Sequence, residues 1–168
     1  MDRVSDFLNQ WHRERPDLDV SPMGIHGRIK RAAEILERGQ RDHFAEQGLK
    51  HSEFDVLATL RRSGAPFQLT PKDLVAATMS SGATVTNRLS ELESRGLLTR
   101  HTDPTNRREV IVTLTDEGRA TVDEVVVGHL ATEERQLDGL TASDRERLAA
   151  LLQKLLAANG DTAARNNE

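Results

Sequence analysis

Thr70-Pro71-Lys72-Asp73-Leu74-Val75-Ala76-Ala77-Thr78-Met79-Ser80-Ser81-Gly82-Ala83-Thr84-Val85-Thr86-Asn87-Arg88-Leu89-Ser90-Glu91-Leu92-Glu93-Ser94-Arg95-Gly96 is the stretch on which the fold turns. Thr70 is a side-chain N-cap, and Pro71 suits the first helical position because its missing N–H has no helical partner there. Asp73 meets the free amides and the positive end of the helix dipole. Met79 to Gly82 then turns the chain. A second helix runs from Ala83 to Arg95, with Val85, Leu89 and Leu92 on one apolar face. Gly96 closes it as a left-handed cap.

The outer face of this second helix carries Ser81, Gly82, Thr84, Thr86 and Asn87, with no acid before Glu91. Short donor and acceptor side chains at a helix N-terminus suit phosphates and base edges in a major groove. A merely solvated helix face is the plain alternative. The residues after Gly96 favour DNA. Leu97 to Arg100 predicts a short strand, Asp103-Pro104 a turn, and Arg107 to Leu114 a second strand with Val110, Val112 and Leu114 on one face. Arg95, Arg100, Arg107 and Arg108 stand against Asp103 alone in this segment. A basic hairpin beside a helix-turn-helix reaches phosphates or a minor groove.

The run Ser81-Gly82-Ala83-Thr84-Val85-Thr86-Asn87-Arg88-Leu89, then Leu92-Glu93, Gly96-Leu97, Asp103-Pro104, Arg107-Arg108, Val112-Thr113-Leu114-Thr115 and Gly118 resembles the multiple-antibiotic-resistance regulator (MarR) family of winged helix-turn-helix repressors. The resemblance covers roughly residues 25 to 157. Asn106 departs from it, since many relatives carry Asp before the arginine pair. The implied fold is mainly α with a small β-wing, assembled as a homodimer through a helical dimerisation region.

The expected organisation is an N-terminal extension over 1–21, a helical dimerisation region over 22–48 and 115–159, a winged helix-turn-helix over 49–114, and a tail over 160–168. In the extension, Val4, Phe7, Leu8 and Trp11 share one helical face before Pro16. Ser21-Pro22 restarts the helix, which runs to Gln47 with Ile25, Ile29, Ala32, Ala33, Leu36 and Phe44 inward. In the helix from Leu49 to Arg62, Ser52 with Asp55 has the form of a capping box. The helix from Thr115 to Leu137 carries Val122, Val125, Val126 and Leu130, and Thr141 with Asp144 predicts a second capping box. Leu148, Leu151, Leu152, Leu155 and Leu156 stripe the last helix. These three long helices offer more apolar face than one small winged domain needs, which points to an isologous dimer interface.

With 168 residues, the chain is long enough to bury a core. Its formal net charge of −4 is not the basic average of a nucleic-acid binder. The acid excess lies in residues 116–168, with 11 acidic against 6 basic side chains, and local potential governs docking. There is no cysteine, which removes thiol-based peroxide sensing and fits a reducing cytoplasm. No stretch reaches 18 consecutive apolar residues and no apolar signal core opens the chain, so membrane spanning and export are not expected. The six histidines show no i, i+4 pair, and neither a phosphate loop nor a nucleophile elbow is present, so no metal, cofactor or enzymatic activity is expected.

The extension, with Gln10-Trp11, Glu14-Arg15-Pro16-Asp17-Leu18-Asp19 and Ser21-Pro22-Met23, then Gly27-Arg28, resembles the urate-responsive HucR and PecS-type branch of the MarR family. That resemblance implies that Trp11 and Arg88 hold an anionic ligand, that Asp55 responds to it, and that Arg100 is the second arginine, pairing with the aspartate. An aromatic face and a guanidinium fork suit a planar anionic purine. An anion beside Asp55 would repel it. The plainer roles are a packing anchor for Trp11, a helix cap for Asp55 and a salt bridge for Arg88. The expected partners are double-stranded DNA, a second copy of the chain, and a small anionic aromatic ligand such as urate. The alternatives are a repressor answering phenolic acids or drugs at another pocket, and a winged-helix adaptor that binds protein rather than DNA.

Overall fold

The computed structural model describes residues 1–78, 82–107 and 109–161, with the backbone alone at 82–84. The order is α1 (Arg3–Glu14), α2 (Ser21–Glu46), α3 (His51–Arg62), β1 (Gln68–Leu69), α4 (Pro71–Ala77), α5 (Gly82–Ser94), β2 (Leu98–Thr102), β3 (Val110–Leu114), α6 (Asp116–Gln136) and α7 (Ala142–Ala158). The strands form one antiparallel sheet in the order β1-β3-β2. Arg100 pairs with Val112, and Leu69 pairs with Val112 on its other side.

Residues Met1–Thr132 form one compact unit and Glu133–Glu168 another. In the first, Phe44, Leu57, Leu60, Leu74, Leu92, Leu98 and Val112 are fully buried and make one core. Val85, Leu89 and Leu92 all turn into it, as their spacing predicts. Burial of that face fixes the roll of α5 and turns Thr86 and Asn87 outward. The Thr70 hydroxyl accepts the Asp73 N–H at 3.1 Å, so α4 begins where its cap predicts. His43, His51 and His129 pack against Phe44 and Phe54, whose rings lie 4.7 Å apart. These histidines are part of the packing of the unit.

A knot of backbone joins α5 to the wing and to α6. Gly96 has φ +73 and ends α5. The Thr115 hydroxyl donates to Gly96 O at 2.8 Å and accepts the Gly118 N–H at 2.9 Å. Leu97 O accepts the Thr115 N–H at 3.2 Å. Gly118 presses on that same carbonyl: a Cβ there would stand 1.9 Å from Leu97 O.

Four local expectations are corrected. Helix α3 is capped at Lys50, not Ser52: the Glu53 carboxylate reaches back to the Lys50 N–H at 2.8 Å. Asp55 is therefore not a capping residue. Helix α2 has Val20 at its N-cap and Ser21 as its first residue, and Asp19 Oδ1 accepts the Ser21 N–H at 2.9 Å. Of the apolar face of α1, Val4 is buried, whereas Phe7 and Trp11 remain 58% and 41% exposed. Two glycines of α2 explain this: Cβ atoms at Gly27 and Gly24 would stand 3.1 Å from the Val4 and Leu8 methyls, so α1 settles onto those two contacts. Ile25, Ile29, Ala32 and Ala33, expected inward on α2, are exposed in the single chain, the two isoleucines by 61% and 38%.

In the second unit, the Thr141 hydroxyl accepts the Asp144 N–H at 3.2 Å and the Asp144 carboxylate accepts the Thr141 N–H at 3.2 Å, the reciprocal cap that the sequence predicts. Leu148, Leu151, Leu152, Leu155 and Leu156 of α7 are all exposed.

Candidate nucleic-acid interface

Helices α4 and α5 are the first and second helices of a helix-turn-helix. Thr86 and Asn87 lie exposed on the outer face of α5. Ser81 and Arg108, expected to touch phosphates and a groove, lie outside the described residues, and Gly82 and Thr84 contribute a helical backbone.

The β2–β3 connection is built by one aspartate. Asp103 Oδ1 accepts the Thr105 N–H at 2.6 Å, the Thr105 hydroxyl at 2.7 Å and the Asn106 N–H at 3.3 Å. These bonds, the Thr105 hydroxyl first, hold the Asp103 carboxyl below its usual pKa. Asn106 Nδ2 donates to Glu109 Oε2 at 3.4 Å, so the residue standing in place of the usual acid ties the loop to the base of β3. Arg107 projects exposed from this loop. The wing is therefore a self-supported turn with a cation near its tip.

Four residues are expected at a ligand site. Asp55 sits half-buried on α3, and Arg88 sits on α5, which packs against α3. The Arg88 side chain is 23% exposed and Nη1 is held by the Glu91 carboxylate one turn on. Its Nε is buried and has no hydrogen-bond partner. The other Glu91 oxygen accepts Lys50 Nζ at 2.8 Å. Lys50, first, and then Arg88 hold the Glu91 carboxyl below its usual pKa. Arg100 of β2 is paired with Glu93 of α5 and not with Asp55: its N–H and Nε donate to the two Glu93 oxygens at 3.0 and 2.9 Å, and that pairing lowers the Glu93 pKa.

Trp11 lies in a groove of about 410 Å³ between α1 and α2, lined also by Phe7, Leu8, Met23, Lys30 and Arg31. Asp55 and Arg88 thus share one pair of packed helices, while Trp11 lines a groove of its own with two cations and the Glu34 carboxylate. Sequence reasoning missed Lys50, Glu91, Lys30 and Arg31. The i, i+3 spacing of Arg88 and Glu91 is a usable signal. Lys50 and Glu91, 41 positions apart, offer none.

A helix-turn-helix followed by a two-stranded wing with an arginine at its tip defines the winged helix-turn-helix class. The sequence profile of the MarR family matches residues 47–109. The HTH-type transcriptional regulator PecS of Dickeya dadantii is 41% identical over 152 residues, covering 90% of this chain and 92% of that protein. The HTH-type transcriptional repressor NicR of Pseudomonas putida is 32% identical over 146 residues, covering 83% and 89%. The structure of Bordetella bronchiseptica BpsR, whose DNA binding is described as regulated by 6-hydroxynicotinic acid, superposes with a TM-score of 0.70 at 31% identity, covering 78% of this chain and 91% of that one. The chain belongs to the MarR family of transcriptional regulators. Each of these relatives is named for regulation of transcription or of DNA binding and none for an enzymatic activity.

Proposed function

We propose that this chain is a repressor that binds a pseudo-palindromic operator as a homodimer and leaves it when a planar aromatic anion, urate or a related purine, binds beside the recognition helix. One observation carries the ligand half of this reading: Arg88, on α5, has a buried Nε–H without an acceptor. An orphaned donor on a charged group costs about 1–3 kcal/mol or more, and an anion offers the missing acceptor. Asp55 on the facing helix supplies the charge that an incoming anion would repel. The naming of NicR as a repressor and the regulation of BpsR by an aromatic carboxylic acid point the same way.

For DNA, Thr84, Thr86 and Asn87 read base edges, Ser81 and Gly82 set the helix on phosphates, and Arg107 and Arg108 reach the flanking minor groove. The exposed apolar side chains Ile25, Ile29 and Ile35 of α2, Val127 and Leu130 of α6, and Leu151 and Leu155 of α7 support dimerisation. Two recognition helices would then meet half-sites about 34–36 Å apart.

The groove beside Trp11 favours a second reading, in which an aromatic anion lies on the indole and pairs with Lys30 or Arg31. Titrating urate, xanthine, salicylate and 6-hydroxynicotinate by calorimetry, with Trp11 fluorescence recorded alongside, separates the two. Saturable binding lost in Arg88→Ala supports the first reading. Binding with Trp11 quenching kept in Arg88→Ala and lost in a Lys30→Ala, Arg31→Ala double variant supports the second. Binding of none of the compounds overturns both.

A further inference from the structure

Glu91 divides its carboxylate between two cations on different elements. Oε2 holds Arg88 Nη1 within α5, and Oε1 holds Lys50 Nζ at the start of α3. Arg88 keeps its Nε buried and unfilled on another edge of the same guanidinium. A carboxylate and a ligand anion can therefore sit on one guanidinium at the same time, on different N–H groups. They would then be two negative charges within a few ångströms of each other, in a partly buried place.

We infer that Glu91 is the positioning residue that carries ligand occupancy from Arg88 to α3. The inference rests on the reading of Arg88 as an anion holder. An anion on Nε takes up part of the Arg88 charge and repels Glu91. The carboxylate then swings its weight onto Lys50, and the tie between the last turn of the recognition helix and the N-terminus of α3 changes length. Two further contacts make that junction responsive. Lys50 is itself the N-cap of α3, through the Glu53 carboxylate. The same Glu53 oxygen faces Arg95 Nη1 at 3.5 Å, one turn beyond Glu91 at the C-terminal end of α5. Both ties hold the C-terminal turn of α5 to the N-terminus of α3, so shifting their balance pivots α5 at that end and displaces its N-terminal end the most. The surface pair Lys50–Glu91, worth little as a source of stability, gains a role as a lever.

The test measures two quantities in wild type, Glu91→Gln and Lys50→Met: the Kd for urate, from calorimetry, and the ratio of operator Kd with saturating urate to that without. Wild type should show a ratio of about tenfold or more, the usual size of a coupling between two sites. Glu91→Gln removes the repelling charge, so urate should bind about threefold to tenfold more tightly while the ratio falls below about threefold. Lys50→Met keeps Arg88 paired and cuts only the link to α3, so urate affinity should stay within about twofold while the ratio collapses likewise. Urate binding with an undiminished ratio in both variants overturns this inference and leaves the ligand reading standing. A wild type that binds none of urate, xanthine, salicylate and 6-hydroxynicotinate overturns the two together.

Discussion

The Glu53 carboxylate, 3% exposed, faces Arg95 Nη1 at 3.5 Å across the contact of α3 with α5. The same oxygen caps α3 through the Lys50 N–H. One buried carboxylate thus serves a helix terminus and an ion pair. Glu53→Ala should cost about 1–3 kcal/mol, because an amide and a guanidinium both lose their acceptor. Glu53→Gln, which still accepts the amide, should cost less. Urea unfolding of the two variants measures the order, and a Gln variant as damaged as the Ala variant would show that the charge matters more than the cap.

Gly118→Ala should be severely destabilising although alanine is the better helix former. Its Cβ would lie 1.9 Å from Leu97 O and 2.9 Å from a Leu114 methyl, so backbone has to move. Overpacking of this kind costs about 1–3 kcal/mol or more. Thermal melts report it, and a variant melting like wild type would mean that the knot at the base of the wing is soft.

Asp2 accepts the Ser5 N–H and hydroxyl at 2.8 Å and pairs with Arg28 Nε at 2.8 Å. These bonds, the Ser5 amide first, lower its pKa from 3.8 to about 2. The folded value is depressed, so the stabilisation is present above pH 3.8 and is lost as pH falls toward about 2. The docking of α1 should therefore loosen in that window. Trp11 emission should track it in wild type, with the transition absent or shifted in Asp2→Asn. Identical acid titrations would remove Asp2 from the account.

Arg108→Ala should weaken binding across operators and lower the slope of log K against log salt by about 1, and exposed Arg107 should behave alike. Asn87→Ala should instead cost about 1–3 kcal/mol on the cognate operator and relax preference at one base pair. Competition binding at several salt concentrations distinguishes the two patterns. An unchanged slope in both arginine variants would take the wing off the DNA.

Leu151→Glu together with Leu155→Glu places charge on an apolar stripe that is 66% and 41% exposed in the single chain. Sedimentation should show a monomer with weakened operator binding. A persistent dimer would move the interface to other faces.

Much of the fold is legible in the sequence because it depends on local chemistry. Thr70 with Asp73 and Thr141 with Asp144 cap where their spacing says, and the Val85, Leu89, Leu92 period sets the roll of α5. The cap of α3 is misplaced from sequence because two overlapping patterns compete, and the longer glutamate at 53 reaches the amide at 50. The contact of α1 with Gly24 and Gly27 is invisible there, since a notch in a helix matters only once its neighbour is placed. Arg88 stands out by resemblance, but its unfilled Nε and the Glu91–Lys50 tie are facts of three dimensions.

The joint of Gly96, Leu97, Thr115 and Gly118 locks the C-terminal end of α5 to both wing strands and to α6. The positions proposed to read bases, 84, 86 and 87, lie at the opposite end of that helix. Address and scaffold are thus kept apart along one element. Exchanging those three side chains for a relative's should redirect the protein to another operator while the wing keeps its aim, which makes the N-terminal half of α5 a portable cassette for specificity.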